Sequence, residues 1–381
     1  MKRSKVALLR CENYDIDNVY NTIKKGINLL GGIDSFIKPN EKILIKPNIL
    51  AGRTPEKSIT THPAIFEAVL RLLLENNINL TYGDSPGFDK PSIALLKSGF
   101  AEIADKYKIK MADFDNGKTI LFPEGVYGKK FEIANGVIDS DGIISLSKMK
   151  THQLTRITGA IKNQFGCIYG MNKAAYHVTL PNATKFCKML VDLNRLLRPR
   201  LYIMDGIVAM EGNGPASGES IKMNCILISN DPIAIDSTFC RIIGLNPEFV
   251  PTNTYGKETG FGNYEESEIE ILGDNIESFI NHNFNVIRKP IKDDSFLKPL
   301  IPFRDYLVAR PVINKKLCVR CGICVSACPV DGKAIFLNNG KKHPPEYIYK
   351  KCIRCYCCQE VCPYKAISVK IPLLGKFFGA K

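Results

Sequence analysis

The sequence lacks any long run of apolar residues. No stretch reaches the roughly 18 consecutive apolar residues that a membrane-spanning helix needs. The first apolar run extends only from Val6 to Leu9, and the charged residues Arg10 and Glu12 follow it. A run this short cannot serve as a secretory signal. We therefore expect a cytoplasmic protein without a transmembrane segment.

Recognisable nucleic-acid and nucleotide motifs are also missing. The 381-residue chain has a formal net charge of +14, but its lysines are spread along the sequence and form no arginine-rich arm. This distribution predicts no nucleic-acid partner. The glycine-rich stretch EGNGPASGES at 211–220 precedes a strand-like segment, whereas a dinucleotide-binding loop must open a helix. No Walker or flavin motif is present, so we expect no nucleotide there.

Cysteine, in contrast, is abundant and unevenly distributed. Nine of the fourteen cysteines lie between Cys318 and Cys362, and the other five are scattered singly among apolar neighbours. Such clustering in a long chain indicates metal binding rather than disulfides. The five isolated cysteines are interpreted as small buried apolar residues.

The clustered cysteines form two copies of one motif, Cys-x2-Cys-x2-Cys-x3-Cys-Pro, which begin 34 residues apart. This spacing is typical of bacterial ferredoxins that hold two [4Fe–4S] clusters, in which the fourth cysteine of each run binds the other cluster. A zinc site would use separated Cys-x2-Cys pairs instead. The predicted ligands of cluster I are Cys318, Cys321, Cys324 and Cys362, and those of cluster II are Cys352, Cys355, Cys358 and Cys328. The spacing leaves out Cys357, which we interpret as a packed or second-shell thiol.

The cysteine-rich region is strongly basic. Residues 311–381 contain 13 Lys and Arg and 3 Asp and Glu, a surplus of 13 − 3 = +10. Two oxidised clusters would reduce this surplus to roughly +6. A basic cluster-binding region would attract an acidic electron carrier, such as a ferredoxin or flavodoxin. The alternative is that these lysines only keep a small domain in solution.

Upstream of the cysteines, apolar strand-like segments alternate with helical patterns. This alternation predicts an α/β domain with a largely parallel sheet, followed by a small α+β module of the bacterial ferredoxin type. We predict the α/β domain at 1–295, a proline-punctuated linker at 296–310, the two-cluster module at 311–370 and a tail at 371–381.

Polar residues follow four of the predicted strands, where ligands bind in open α/β sheets. Each of them is also compatible with a helix cap or a turn. These residues are Lys46 and Asn48, Asp84, Lys150 and His152, and Asp205 and Glu211. A glycine-interrupted segment at 155–181 adds Lys162, Asn163, Lys173 and His177, and its glycines permit either a close approach to a ligand or helix packing.

The stretches IKPNIL, GDSPG, KMKTHQLTRITGAIKNQFGCIYG, KAAYH and DGIVAMEGNGP resemble the motifs of the domain-of-unknown-function 362 family. Many members of that family carry a C-terminal two-cluster ferredoxin module. The resemblance covers nearly the whole chain. It implies that the eleven polar residues named above are shared positions of the family, but it implies no agreed reaction.

Three functions are compatible with these features. The first is an anaerobic, ferredoxin-linked oxidoreductase whose two [4Fe–4S] clusters relay low-potential electrons to a small anionic or carbonyl-bearing substrate. In it, His152, His177 and Lys162 would be catalytic, and Lys46, Asn48, Asp84, Lys150, Asn163, Lys173, Asp205 and Glu211 would bind the substrate. The second is a non-catalytic electron carrier whose large domain docks a partner oxidoreductase. The third is a cluster-assembly factor, which two closed four-cysteine sites disfavour.

Overall fold

The computed structural model describes residues 3–170, 172–291, 304–338 and 342–377. In chain order, strands β1 to β15 of this part are Ser4–Arg10, Lys42–Lys46, Asn79–Tyr82, Lys110–Met111, Gly117–Leu121, Lys130–Ala134, Gly142–His152, Arg156–Ile157, Leu201–Glu211, Glu219–Ser229, Ile269–Gly273, Arg310–Ile313, Ile335–Phe336, Glu346–Tyr347 and Ile367–Lys370. Helices α1 to α14 are Ile16–Leu29, Pro63–Glu75, Pro91–Lys97, Phe100–Lys106, Asn135–Ile138, Gly159–Asn163, Asn172–Thr179, Ala183–Leu197, Pro232–Ile242, Pro251–Glu258, Arg304–Leu307, Ile323–Ser326, Cys357–Glu360 and Leu373–Phe377.

Nine of the described strands form one central sheet, in the order β11-β1-β10-β9-β7-β2-β3-β4, with β8 paired to β7. Strand β10 runs antiparallel to both of its neighbours, β1 and β9. The other neighbouring strands along this order are parallel. The predicted α/β class with a largely parallel sheet is therefore confirmed.

The sheet is buried on both faces because helices cover both sides of it. Successive side chains of a strand point to opposite faces. In β2, Ile43 and Ile45 pack into the hydrophobic cluster that contains α1 and α2 residues. Leu44, between them, packs into a second cluster that contains Phe186 and Leu190 of α8. This two-sided burial explains the continuous apolar runs of the central strands.

The C-terminal region forms the expected small α+β module. Strand β12 pairs antiparallel with β15, and β13 pairs antiparallel with β14. Two single-turn helices, α12 and α13, follow the two Cys-x2-Cys-x2 runs and carry Cys324 and Cys358. None of the helices within the described residues has the length and apolarity to span a membrane.

The predicted domain boundaries at residues 295, 310 and 370 remain predictions. The predicted linker, 296–310, is described only from residue 304, where α11 and the start of β12 lie. Residues 296–303 are outside the described residues. In the predicted tail, the structure describes α14, and residues 378–381 lie outside the described part of the chain.

Candidate functional site

A buried polar network lies where β2 and β3 end. The ammonium of Lys46, the last residue of β2, is 2.8 Å from Asp84 Oδ1, and both side chains are buried. Lys46 Nζ also donates to the carbonyl oxygen of Pro47 at 3.0 Å and to Asn163 Oδ1 at 3.2 Å. The three donors of this ammonium are therefore all occupied within the protein. Gly166 permits this arrangement, since an added Cβ there would lie 1.9 Å from Asp84 Oδ1.

Asn48 and Asn163 extend the network towards β7. Lys150 Nζ donates to Asn48 Oδ1 at 2.7 Å and to the carbonyl oxygen of Ile59 at 2.6 Å. Asn48 Nδ2 donates to Asn163 Oδ1 at 3.0 Å, and Asn163 Nδ2 donates to Ser145 Oγ at 2.9 Å. Burial, reinforced by the positive charge of Lys162, holds the pKa of Lys150 well below its usual value. These residues form a rigid, largely satisfied floor.

Helix α6 holds Lys162 and Asn163 over this floor because a buried carboxylate caps its first turn. Asp236 accepts hydrogen bonds from the backbone amides of Ala160 at 2.6 Å and Ile161 at 3.1 Å. Gly159 has a φ of +55°, and a Cβ there would lie 2.1 Å from Asp236 Oδ1. Burial raises the pKa of Asp236 to about 7, although the two amide hydrogen bonds oppose the shift. Asp236 is thus a positioning residue for α6.

Above the floor lies a cavity of about 350 Å³ between the α/β domain and the cysteine-rich module. Its lining includes six of the predicted site residues. These are Asn48, Asp84, Lys162, Asn163, Lys173 and His177. The module contributes Ile323, Ala327, Cys357, Glu360, Val361 and Pro363. Residues of both domains therefore wall one space.

Three of the lining side chains have capacity for a ligand. Lys162 forms no salt bridge within the described residues, and its Nζ lies 5.8 Å from the centre of the Phe165 ring. His177 is buried and stacks on Phe186 at a centroid distance of 4.6 Å, and its Nδ1 has no hydrogen-bond partner among the described residues. Lys173 Nζ donates to Ser85 Oγ at 2.5 Å and to the carbonyl oxygen of Ile168 at 2.9 Å. Burial lowers the pKa of Lys173 to about 8 and that of His177 to about 4.

His152 reaches the cavity wall through Glu360 of the module. His152 Nδ1 accepts a hydrogen bond from the backbone amide of Leu154 at 3.0 Å. The ring proton therefore lies on Nε2, which is 3.1 Å from Glu360 Oε1. Burial, together with Lys162, lowers the pKa of His152 to about 4. Burial would raise the pKa of Glu360, but His152 and Lys162 outweigh it and lower this pKa to about 2.

The glycine-rich loop at 211–220 holds the module against the α/β domain. Gln359 is buried, and its Nε2 donates to the carbonyl oxygen of Asn213 at 2.8 Å. Asn213 Nδ2 donates to the carbonyl oxygen of Ile367 at 3.0 Å, and Lys365 Nζ donates to that of Gly218 at 2.8 Å. The loop that the sequence analysis excluded as a nucleotide site is therefore a contact between domains.

Five predicted site residues are absent from the cavity lining, namely Lys46, Lys150, His152, Asp205 and Glu211. Lys46 and Lys150 belong to the floor, and His152 contacts Glu360. Asp205 accepts hydrogen bonds from Lys148 Nζ at 2.7 Å and from the Tyr14 hydroxyl at 2.9 Å, in a buried cluster of its own. Glu211 Oε2 accepts a hydrogen bond from the backbone amide of Asn285 at 2.7 Å. Substrate binding by these two residues stays a prediction.

Both predicted cysteine ligand sets stay predictions, and the structure bears on them through the positions of the thiols. Cys318, Cys321, Cys324 and Cys362 together line one small cavity in the module. Burial raises the pKa of Cys324 to about 12, and the other three thiols of that set reinforce the shift. In the second set, burial raises the pKa of Cys358, and Cys355 and Cys352 add to the shift. Four thiols around one space are the donors that an iron–sulfur cluster requires.

Several residues of this cavity carry no signal in the sequence, among them Arg53, Lys97, Cys357 and Glu360. Cys357 lines the cavity, and its interpretation as a packed thiol beside the cluster ligands stays a prediction. Glu360 was not singled out, since a lone glutamate inside a cysteine motif carries no recognisable signal. Cys357 and Glu360 both lie on α13, whose orientation depends on the docking of the module.

Comparisons with known proteins agree with this two-part organisation. Residues 310–363 match the model of a 4Fe–4S dicluster domain, which supports an iron–sulfur protein. Residues 43–241 match the model of domain of unknown function 362. The chain belongs to this domain-of-unknown-function 362 family, as its motifs predicted.

Individual proteins similar to the chain span a wide range of identity. The thylakoid-associated protein of Synechocystis sp. is 31% identical over 248 residues, which are 65% of this chain and 77% of that protein. The lactate racemase apoprotein of Thermoanaerobacterium thermosaccharolyticum is 12% identical, with a TM-score of 0.40 over 64% of this chain and 57% of that structure. A Thermotoga maritima protein is 12% identical, with a TM-score of 0.30 over 53% of this chain. The chain spans little more than half the length of these two structures.

Proposed function

We propose that this protein is an oxidoreductase that reduces a small anionic or carbonyl-bearing substrate in the cavity between its two domains. The supporting observation is that part of the cavity wall consists of residues next to the predicted cluster ligands. Ile323, Ala327 and Cys357, which line it, are the sequence neighbours of Cys324, Cys328 and Cys358, and Val361 and Pro363 flank Cys362. The remaining wall is the polar floor of the α/β domain. A substrate held there would lie beside both predicted ligand sets.

Each part of the cavity has a role that follows from its chemistry. When bound, the iron–sulfur clusters supply electrons one at a time. Lys162, which has no ion pair within the described residues, binds the anionic group of the substrate. Reduction of a carbonyl to an alcohol consumes two electrons and two protons, so a proton donor is required. Lys173, with a pKa of about 8, is charged at neutral pH and is well matched to this task.

The two histidines have different positions relative to the substrate. His177 presents a neutral imidazole with an unused Nδ1, which hydrogen-bonds the reacting oxygen and passes a proton along the wall. His152 does not line the cavity, and it acts through the carboxylate of Glu360. We therefore assign His152 a positioning role. Both rings are neutral at pH 7, so the charged donors near the substrate are the cationic side chains of the lining, which are Lys162, Lys173, Arg53 and Lys97.

The second candidate is the non-catalytic electron carrier. The exposed position of Cys321 favours it, since an accessible cluster ligand suits exchange with partner proteins. A carrier, however, has no need for a cavity in which an unpaired lysine and a buried, unpartnered histidine nitrogen meet. The enzyme accounts for these groups, and the carrier leaves them unexplained.

A re-oxidation assay separates the two functions. The cluster-loaded protein is reduced anaerobically and mixed with carboxylates that carry a carbonyl group, beginning with pyruvate and 2-oxoglutarate, while cluster absorbance is followed. We expect at least one of these carboxylates to re-oxidise the wild-type protein and none to re-oxidise Lys162→Met. The control, Lys118→Met, removes an exposed lysine of β5 and should be re-oxidised at the wild-type rate. Re-oxidation by benzyl viologen should be equal in all three proteins. If viologen re-oxidises the protein and no carboxylate does, or if Lys162→Met matches the wild type, the carrier function replaces the enzyme.

A further inference from the structure

The two predicted ligand sets differ in their exposure to solvent. In the set of cluster I, Cys321 is exposed, Cys318 and Cys362 are partly exposed, and only Cys324 is buried. In the set of cluster II, all four cysteines are buried, with 7–8% of their surface exposed. One ligand set therefore faces solvent, and the other is covered.

The second set is covered both by the module's own hydrophobic cluster, which contains Cys328, Cys352 and Cys358, and by contacts to the α/β domain. Tyr356, between Cys355 and Cys358, belongs to the hydrophobic cluster that also contains Phe165 and Phe186. Gln359, the next residue after Cys358, is anchored to the loop at 211–220. The loop at 352–358 thus contacts the α/β domain and the cavity, whereas Cys318 and Cys321 of the first loop are accessible to solvent.

Large apolar side chains surround the exposed cysteines. Leu317 and Val319 are each 48% exposed, and Tyr364 is 49% exposed. Val319 and Tyr364 line the same small cavity as the four cysteines of cluster I. Exposed apolar side chains gathered at one place, with arginine among them, are typical of the centre of a protein–protein interface.

Positive charge frames this apolar group. Lys315, Lys316 and Arg320 are exposed, and none of them forms a salt bridge within the described residues. No acidic residue occurs between residues 306 and 330. Of the three acidic residues in 311–381, Glu360 points into the protein, towards His152. The surface at the exposed cysteines is therefore basic without a compensating acidic group from its own loop.

We propose that Leu317, Val319 and Tyr364, framed by Lys315, Lys316 and Arg320, form an acceptor face that docks an acidic, low-potential electron-carrier protein. In each encounter the carrier loses one electron and this chain gains one, and no atom is transferred. The other ligand set is buried, and Cys357, the neighbour of its Cys358, lines the cavity, which gives the electrons a direction inward from the acceptor face. The inference deepens the proposed function, because it supplies the electrons on which reduction in the cavity depends.

The test measures docking on the full-length, cluster-loaded protein. An acidic plant-type [2Fe–2S] ferredoxin, in the reduced form, is mixed anaerobically with wild-type protein, with K315E/K316E and with K25E/K118E, a matched reversal of two exposed lysines of the α/β domain. At low salt we expect an association rate at least about tenfold lower for K315E/K316E and an unchanged rate for K25E/K118E. The difference should shrink at high salt, because exposed charges are screened. Iron content and the electron paramagnetic resonance signal should be the same in all three proteins.

Two results would overturn the proposal. One is an equally large fall of the association rate in K25E/K118E, which would show that the net charge of the protein, and not this face, controls association. The other is the absence of ferredoxin binding together with tight binding of a short DNA duplex that K315E/K316E abolishes. A failed carboxylate assay does not affect docking. If the docking fails but dithionite-reduced K315E/K316E still reduces the substrate, the proposed function stands without this acceptor face.

Discussion

Replacing Lys46 and Lys162 by methionine should have opposite effects on stability and on ligand binding, although both lysines lie at the same edge of the sheet. Lys46 is fully buried, its Nζ is 2.8 Å from Asp84 Oδ1, and its other two donors are used. Methionine there leaves the carboxylate of Asp84 buried without its counter-charge. The loss of one partner from a buried pair costs about 3–5 kcal/mol. For a domain of this size, the melting temperature should fall by roughly 6–20 °C.

Lys162 has no comparable structural role. It forms no salt bridge within the described residues, and its ammonium lies 5.8 Å from the centre of the Phe165 ring. Methionine keeps the apolar stem against that ring, so we expect the free energy of unfolding to change by less than about 1 kcal/mol. The same change should abolish re-oxidation by a carboxylate.

The assay is thermal and urea unfolding of anaerobic protein, followed by far-UV circular dichroism because the chain has no tryptophan. The double variant K46M/D84N provides the control, since it also removes the buried, uncompensated charge of Asp84. It should therefore recover part of the lost free energy of unfolding. A wild-type melting temperature for Lys46→Met, or a double variant no more stable than the single one, would refute the assignment of Lys46 as a structural residue.

Three further outcomes are expected. Cys357→Ser should leave the iron content unchanged, whereas Cys358→Ser should lower it, as measured by iron and acid-labile sulfide; the reverse pattern would contradict the ligand assignment. The pKa of His177 is about 4 in the folded protein and near 6.5 in the unfolded chain. The free energy of unfolding should therefore fall by up to about 3 kcal/mol as the pH drops from 6.5 to 4. His177→Phe should remove this contribution, as measured by urea titrations at a series of pH values. Chelation of the iron should raise the rate of amide hydrogen exchange around His152 and in the loop at 211–220, because α13 loses its anchor, and should leave β1 unchanged. A response confined to the cysteine-rich module would show that the clusters do not influence the cavity.

The local elements of the α/β domain were predictable because each has a periodic signal. The apolar face of α2 with its proline at the first position predicts a helix, and Pro63–Glu75 is helical. The direction of β10 had no such signal, because an apolar strand reads the same whether its neighbours are parallel or antiparallel. The hairpin of β5 and β6 was not predicted, since both strands are short and β5 is largely exposed.

For the site, the sequence indicated which residues approach one another and not what each of them does. Strand ends in a parallel sheet meet at one edge, so the proximity of Lys46, Asp84 and Lys150 follows from topology. Lys46 and Lys162 could not be distinguished at that level, because the difference lies in which donors are already bonded. The sequence predicts that Asp205 follows a strand like the others, but it lies within β9, and its carboxylate is taken by Lys148 and Tyr14, a pairing fixed only by side-chain packing.

The adjacent cysteines in KCIRCYCCQEVCPYKA show why the remainder of the site needed the structure. Helix α13 is a single turn, so its four side chains point in four directions. Cys357 lines the cavity, Cys358 belongs to the predicted ligand set of cluster II, Gln359 is anchored to Asn213, and Glu360 contacts His152. Motif spacing identifies the second of these residues and carries no information on the other three. The partners of Gln359 and Glu360 lie far earlier in the chain, 146 positions earlier for Gln359. Because one turn of helix holds a predicted cluster ligand, a cavity thiol and two contacts to the α/β domain, any movement of that turn must change the cavity and the cluster environment together.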